Sequence, residues 1–131
     1  MRLYIDTSAA IKLFLDEADS DACADTLFAV LKKDGELIAS TWMLAELSSV
    51  MRCMYSVDSI DGLDVFLKQC TLVETNARHI NRVRSEKWKL RSADALHLAC
   101  ALDTNATHIL TYNKELASAA RKHNITPLNA H

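Results

Sequence analysis

Three acidic side chains stand where they could perform chemistry together. Asp6 follows the apolar stretch LYI, Glu46 lies at the edge of an apolar helical stripe, and Asp94 lies in the segment SADALHLACAL. Carboxylates gathered at one edge of a sheet repel one another, which raises their pKa values unless a cation lies between them. Oxygen-only ligation suits Mg²⁺ or Mn²⁺, which also bridge to phosphate oxygens. Since such an ion lowers the pKa of a bound water, these acids point to metal-assisted phosphodiester hydrolysis.

Two of these acids also have a purely structural explanation. Asp6 could cap the helix that follows it, although Thr7 and Ser8 could cap that helix equally well. Asp94 comes two residues after Ser92, a plausible helix cap, and a carboxylate in a first helical turn interacts favourably with the helix dipole. Both acids therefore remain open to a structural or a catalytic interpretation.

Glu46 is the acid that a structural role explains least well. In the helical stretch TWMLAELSSVMRCMY the apolar residues form one stripe, and Glu46 lies at its edge. A capping box would place Met43 at the cap, and a methionine side chain cannot accept the required hydrogen bond. A surface glutamate that extends into solvent is the alternative to a role in a site.

An asparagine, Asn113, follows the apolar run in THILTYNKEL. It could cap the helix that begins at Lys114, or its carbonyl could hold a cation or a metal-bound water without contributing charge. The histidine one turn after Asp94, His97, is interpreted as a packed core residue because its neighbours are apolar. The other histidines show no metal-ligand spacing: His79, His108, His123 and His131.

Short apolar strands alternate with helical patterns along the chain, which predicts an α/β fold. The strands are predicted at residues 3–5, 37–39, 71–74, 108–110 and 125–128. The helices are predicted at residues 9–15, 19–33, 42–55, 59–70, 76–88, 92–103 and 114–123, with Gly35 as the stop of the second. We expect a three-layer α/β/α sandwich whose mainly parallel sheet has all its carboxyl ends on one edge.

The composition narrows the classes of function. With 131 residues, half of them hydrophobic, the chain predicts a single domain over residues 1–131. A net charge of −2 gives no overall basic excess that would by itself indicate a nucleic-acid partner. Two glycines in the whole chain exclude a Walker loop and a dinucleotide-binding turn, which need several glycines close together.

The cysteines and the N-terminus bear on location. Four separated cysteines without a C-x-x-C pair are interpreted as reduced, buried residues: Cys23, Cys53, Cys70 and Cys100. Asp6 interrupts the N-terminal apolar stretch too early for a secretory signal, and no apolar run approaches the roughly 20 residues that span a bilayer. We therefore expect a cytoplasmic protein that does not enter a membrane.

Four short motifs resemble those of a known family. YIDTSA, AEL, SADALHLA and ILTYNKEL occur in the order of the motifs of PIN domains, and the chain is similar in particular to the VapC-type toxin ribonucleases of toxin–antitoxin pairs. The resemblance spans essentially the whole chain. It implies an α/β/α sandwich, Mg²⁺- or Mn²⁺-dependent endoribonuclease activity on RNA, a homodimer, and inhibition by a cognate antitoxin.

The resemblance also assigns roles by position. Asp6, Glu46 and Asp94 match the acids of the family, with Asp6 and Asp94 as the expected direct metal ligands. Thr111 matches the threonine before the last acidic position, and Ser8 is expected to support the same site. Many relatives have an aspartate where Asn113 stands.

Because Asn113 brings no charge, the resemblance implies an active site with three carboxylates, which would bind its metal more weakly than a site with four. Glu115 is the nearest acid that could substitute for the missing one. A catalytically impaired PIN-like module that binds RNA or protein without cutting is therefore the alternative. A phosphoacceptor regulatory domain is disfavoured, because it needs a second acid beside Asp6 and a lysine at the end of the last strand.

A basic segment could contact substrate. RHINRVRSEKWKLR, residues 78–91, contains six Lys or Arg and one acid. Such a segment could follow phosphates while a tryptophan stacks on a base of single-stranded RNA. The alternative is a solvated helix face with its tryptophan in the core. The candidate substrate contacts are Arg82, Arg84, Lys87, Trp88, Lys89 and Arg91.

Overall fold

The computed structural model describes residues 1–128, so residues 129–131, including His131 and the end of the predicted domain, lie outside it. Its strands are β1 (Arg2–Ile5), β2 (Glu36–Ser40), β3 (Cys70–Val73), β4 (His108–Leu110) and β5 (Thr126–Leu128). Its α-helices are α1 (Thr7–Ala10), α2 (Ser20–Lys32), α3 (Thr41–Tyr55), α4 (Leu63–Lys68), α5 (Ala77–Glu86), α6 (Ser92–Asp103) and α7 (Lys114–Lys122). A 3-10 turn, Ile11–Leu13, continues α1.

The five strands form one sheet in the order β3-β2-β1-β4-β5, and every neighbouring pair is parallel. After β1, the chain adds β2 and then β3 on one side of β1, and it afterwards adds β4 and β5 on the other side. The strand order therefore reverses between β1 and β4, and this topological switch point is where parallel sheets bind ligands at their carboxyl ends. In this register Ile5 pairs with Leu110, so the residues that follow the two strands emerge side by side.

Helices cover both faces of the sheet, which confirms the three-layer prediction. One apolar cluster joins β1 and β2 to the first three helices and includes Leu3, Ile5, Cys23, Leu27, Met43 and Leu47. The other cluster joins β1, β2 and β4 to α6 and α7 and includes Tyr4, Ile38, Leu98, Ile109, Leu116 and Ala120. Neighbouring residues of a strand point to opposite faces, so Tyr4 and Ile5 anchor different layers.

Two helices begin at least two residues from their predicted starts. The first begins at Thr7 rather than residue 9, because Asp6 is the N-cap, and it tightens into a 3-10 turn after Ala10. The fourth begins at Leu63 rather than residue 59, because Gly62 has a φ of 83°, which a helix interior does not allow.

The four cysteines are free, but their predicted burial is wrong in part. Cys23 and Cys100 are buried, Cys70 is half-buried, and Cys53 is exposed. Cys53 belongs to α3, whose buried residues are Met43, Leu47 and Met51, one turn apart on another face of the helix. In residues 1–128, no α-helix is both long and apolar enough to cross a membrane.

The end of α2 corrects the prediction for Gly35. Asp34, not Gly35, has the left-handed conformation, with a φ of 58°. The backbone N–H of Gly35 donates to the carbonyl of Val30 at 2.9 Å, which closes the helix end. A Cβ at position 35 would lie 2.8 Å from that carbonyl oxygen and 2.6 Å from Cγ1 of Val30. Gly35 is therefore required for close approach to α2.

We predict that Gly35→Ala lowers the free energy of unfolding by about 1–3 kcal/mol, because the new methyl group overlaps backbone that cannot move freely. Urea denaturation measures the loss. Gly62→Asn is the matched control, since nothing lies within 4 Å of a Cβ at that position and asparagine tolerates a positive φ. Equal stabilities of Gly35→Ala and wild type would contradict the close approach of Gly35 to Val30.

Candidate active site

Asp6 lies at the switch point immediately after β1 and is only 2% exposed. Its Oδ1 accepts hydrogen bonds from the Ala9 backbone N–H at 3.0 Å and from Ser8 Oγ at 2.7 Å. Its Oδ2 accepts a hydrogen bond from Thr111 Oγ1. Burial raises the pKa of Asp6, and the charge of His97 and these hydrogen bonds offset the rise only in part. The helix-cap interpretation is confirmed, and Ser8 and Thr111 both hold the carboxylate.

Glu46 points from α3 toward the same edge of the sheet, and its side chain is 24% exposed. Its Oε1 accepts hydrogen bonds from Thr7 Oγ1 at 2.7 Å and from His97 Nε2 at 2.6 Å. Burial acts to raise the pKa of Glu46, but the bonds from His97 and Thr7 outweigh it, so the pKa is lowered. Glu46 is therefore ionised at neutral pH, and the two bonds leave its Oε2 available to another partner.

Asp94 and Asn113 contact each other directly. Asn113 Nδ2 donates to Asp94 Oδ2 at 2.8 Å, while Asn113 Oδ1 accepts from the Leu116 N–H at 3.0 Å and caps α7. Burial raises the pKa of Asp94, the bond from Asn113 opposes the rise, and the charges of Glu46 and Glu115 add to it. The cap prediction for Asn113 is confirmed, and its amide also orients Asp94.

The candidate residues belong to one connected edge. Thr111 donates to Asp6 and accepts from the Asn113 backbone N–H at 3.0 Å, so a chain of hydrogen bonds runs from Asp6 to Asp94. On the other side, Thr7 follows Asp6 in sequence and donates to Glu46. The β1–β4 pairing and the helix starts that follow it therefore hold all four predicted residues.

An open cleft of about 350 Å³ lies at the Asp94 end of this network. Its lining residues are Arg91, Asp94, Asn113, Lys114 and Glu115. Glu115 thus lines the same cleft as Asp94 and Asn113. Arg91 occupies the N-cap position of α6 without a side-chain cap bond, so the predicted Ser92 cap is wrong. Asp94 nevertheless lies in the first turn of α6, as expected.

The oxygen atoms of the carboxylates and of Asn113 are ligands that suit a hard divalent cation, although the acids are not tightly clustered. Within residues 1–128, no three His, Cys, Asp or Glu side chains are grouped closely enough to hold a metal ion by themselves. Mg²⁺ commonly takes one or two carboxylates directly and keeps several waters. Burial raises the pKa values of Asp6 and Asp94, and a nearby cation would favour their ionised forms.

Sequence reasoning missed the role of His97. It is buried as expected, at 2% exposure, but it also donates to Glu46. A carboxylate only accepts, so His97 Nε2 carries a hydrogen, and Nδ1 lies 2.8 Å from the Tyr4 hydroxyl. Burial raises the pKa of Tyr4, which keeps that hydroxyl protonated. The signal in the sequence was the three-residue spacing that places Asp94 and His97 on one helix face.

The candidate substrate residues are divided by the structure. Arg91 lines the cleft beside Asp94, whereas Trp88 and Lys89 line an adjoining cavity. Arg82 pairs with Glu86 at 3.7 Å on α5. The remaining two, Arg84 and Lys87, are exposed and line neither cavity.

Trp88 is half-buried against the second apolar cluster, in accord with the core alternative. Its Nε1–H donates to His123 Nε2 at 3.0 Å.

The fold and these motifs define a class. The chain belongs to the PIN domain family, whose sequence model matches residues 3–122. It is similar to Ribonuclease VapC35 of Mycobacterium tuberculosis, with 33% identity over 128 residues that cover 90% of this chain and 89% of the relative.

Three solved structures share the fold at low sequence identity. VapBC2 from Rickettsia felis, bound to a promoter DNA fragment, has a TM-score of 0.68 at 19% identity and covers 98% of each chain. VapC20 of Mycobacterium tuberculosis, titled a sarcin-ricin loop cleaving toxin, has a TM-score of 0.68 at 13% identity over 89% of this chain and 94% of that one. VapBC-1 from nontypeable Haemophilus influenzae has a TM-score of 0.65 at 16% identity over 99% and 98%.

The Tyr4–His97–Glu46 chain yields a stability prediction. Tyr4→Phe leaves His97 Nδ1 and Ser40 Oγ without their buried partner and lowers the free energy of unfolding by about 1–3 kcal/mol. Tyr55→Phe is the control, because that side chain is 45% exposed. Parallel urea titrations compare the two variants, and similar losses in both would show that the buried hydroxyl is not structurally important.

Proposed function

We propose that this protein is a metal-dependent endoribonuclease that hydrolyses phosphodiester bonds of RNA, and that it is the toxin of a toxin–antitoxin pair. The observation that carries the proposal is the hydrogen-bonded edge at the switch point that joins Asp6, Glu46, Asp94 and Asn113. The name of the curated relative, a ribonuclease, supports the same activity.

The metal in this proposal is Mg²⁺ or Mn²⁺, held by Asp6, Asp94 and Glu46. When bound, such an ion supplies polarisation of the phosphate and a lowered pKa for the attacking water. The residues of the chain orient the ligands around it. Ser8 and Thr111 fix the Asp6 carboxylate, and Thr7 and His97 occupy one oxygen of Glu46.

Asn113 has a specific part in this arrangement. Its amide donates to one oxygen of Asp94, so the other oxygen, Oδ1, remains available for a cation. An aspartate at position 113 would add a negative charge beside Asp94, where an unfilled site already carries uncompensated charge. The asparagine therefore lowers the electrostatic cost of folding without metal, and it leaves the site with one negative charge fewer for binding a cation.

The partners in the proposal are an RNA substrate, a cognate antitoxin and a second copy of the chain in a homodimer, in the cytoplasm. Two structures that share the fold are those of VapBC2 and VapBC-1, which supports an antitoxin partner. Co-expression with a small neighbouring open reading frame, followed by size-exclusion chromatography with light scattering, measures both the antitoxin contact and the dimer.

Cleavage assays on messenger, transfer and ribosomal RNA test the activity. We expect purified, antitoxin-free protein to cut at least one RNA in Mn²⁺, and Asp6→Asn to lower the rate by at least about a hundredfold. Asp64→Asn, at an exposed position of α4, is the matched control. If wild-type protein binds these RNAs but cleaves none in Mn²⁺, the protein is the non-cutting PIN-like module and the proposed activity is wrong.

Substitution of Asn113 tests its part in the site. In EDTA, Asn113→Asp loses the bond to Asp94 and unfolds about 1–2 kcal/mol more easily than wild type. In Mn²⁺ it binds the ion about tenfold more tightly, because affinity rises with ligand charge. Thermal melting across an Mn²⁺ titration measures both effects.

Asn113→Ala serves as the uncharged control, because it loses both the bond to Asp94 and the bond from the Leu116 N–H without adding charge. Its stability falls by about 2–3 kcal/mol with no gain in Mn²⁺ affinity. If Asn113→Asp binds Mn²⁺ no more tightly than wild type, Asn113 is a cap and not part of a metal site.

A further inference from the structure

A groove adjoins the candidate active site along one face of α7. Its volume is about 370 Å³, and it shares Lys114 and Glu115 with the cleft that holds Asp94. Its lining includes Trp88 and Lys89 from the segment before α6, and Lys114, Ser118, Lys122 and His123 along and just after α7. A polymer that enters the cleft can therefore continue into the groove without leaving the surface.

The groove is positively charged although the chain is not. Three lysines, Lys89, Lys114 and Lys122, face one acid, Glu115, while the whole chain carries a net charge of −2. All three lysines are exposed, and none forms an ion pair with another residue in the described range 1–128. Their charges are available to an external anion.

The spacing of these groups suits a repeating anion. Lys114, Ser118 and Lys122 are four residues apart, so they lie on one face of α7 about 6 Å from one to the next. The two lysines are thus separated by about 12 Å along the helix, with a hydroxyl donor between them. A single phosphate would use only one of these positions, whereas a strand with regular phosphates would use several.

An aromatic pair also lines the groove, and its geometry is fixed by a hydrogen bond. The Trp88 and His123 rings lie edge to face, with centroids 5.5 Å apart and an interplanar angle of 81°. Because His123 Nε2 accepts from Trp88, the neutral imidazole carries its hydrogen on Nδ1 and can donate to a ligand. Trp88 packs partly into the core, so the pair has little freedom to move.

We propose that this groove binds the single-stranded RNA that continues beyond the cleaved bond. Lys89, Lys114 and Lys122 contact phosphates of the strand, and the Trp88–His123 pair contacts a base. Cationic residues combined with an aromatic surface are the usual means of holding a single strand. The inference rests on the proposed function, because RNA is the ligand only if RNA reaches the adjoining cleft.

RNA binding in EDTA tests the groove without cleavage. Fluorescence anisotropy of a labelled 12-nucleotide single strand is measured for wild type and for Lys89→Gln/Lys122→Gln. We expect about tenfold weaker binding, and a salt dependence reduced by about 1.4 in the slope of log K against log salt, for two lost phosphate contacts. Lys33→Gln/Lys68→Gln removes the same charge from exposed positions elsewhere and is the matched control.

Two results would contradict RNA binding in this groove. One is equal loss of affinity in the two double variants, which would indicate general charge rather than a site. The other is competition by an acidic peptide of matching charge as strong as that by unlabelled RNA, which would indicate a protein ligand.

Cleavage of RNAs of different length separates this inference from the proposed function. In Mn²⁺ we expect the ratio of kcat/KM for the 12-nucleotide strand to that for a dinucleotide to fall about tenfold in Lys89→Gln/Lys122→Gln. An unchanged ratio with active enzyme contradicts the groove and leaves the proposed function intact. If wild type cleaves neither RNA while its binding in EDTA depends on the two lysines, the groove stands and the proposed function fails.

Discussion

The parallel pairing of β1 with β4 is the constraint on which the rest of the site depends. It brings Ile5 and Leu110 into register, and the next residue along, Asp6, donates its backbone N–H to Leu110. Thr111 then lies close enough to bond the Asp6 carboxylate. Thr7, the residue after Asp6, donates a hydrogen bond to Glu46. Asn113 donates its backbone N–H to Thr111 and its side-chain amide to Asp94. The other acids of the site are therefore connected to this pair.

The electrostatics of the edge follow from that geometry. Burial raises the pKa of Asp6 and Asp94, whereas His97 and Thr7 lower the pKa of Glu46. The site therefore combines one carboxylate that is stably ionised with two whose charge is costly without a counterion. A neutral Asn113 limits that cost, because a fourth carboxylate would add repulsion in a protein without bound metal. The same amide caps α7, so one side chain serves both the fold and the site.

Much of this architecture could be predicted from the sequence, because it depends on local signals. Strand β4 and helix α6 match their predicted ranges, and the carboxyl-end rule placed Asp6 at the ligand-binding edge of the sheet. Helix ends were less predictable. At the end of α2 the left-handed residue is Asp34 and not Gly35, and Gly35 is required instead for close approach to Val30. The roles of Tyr4 and His97 could not be predicted, since their contacts join residues 93 and 51 positions apart. The groove beside α7 depends likewise on the path of the segment before α6.

We propose that the acids at the β1–β4 switch point form a divalent-cation site. Anomalous scattering from a crystal grown with Mn²⁺ locates the ion directly. We expect a peak within about 2.5 Å of a carboxylate oxygen of Asp94, Asp6 or Glu46. We also expect Asp94→Asn to remove or weaken this peak. A strong Mn²⁺ peak elsewhere on the protein, with none at this edge, would show that these acids do not form the site.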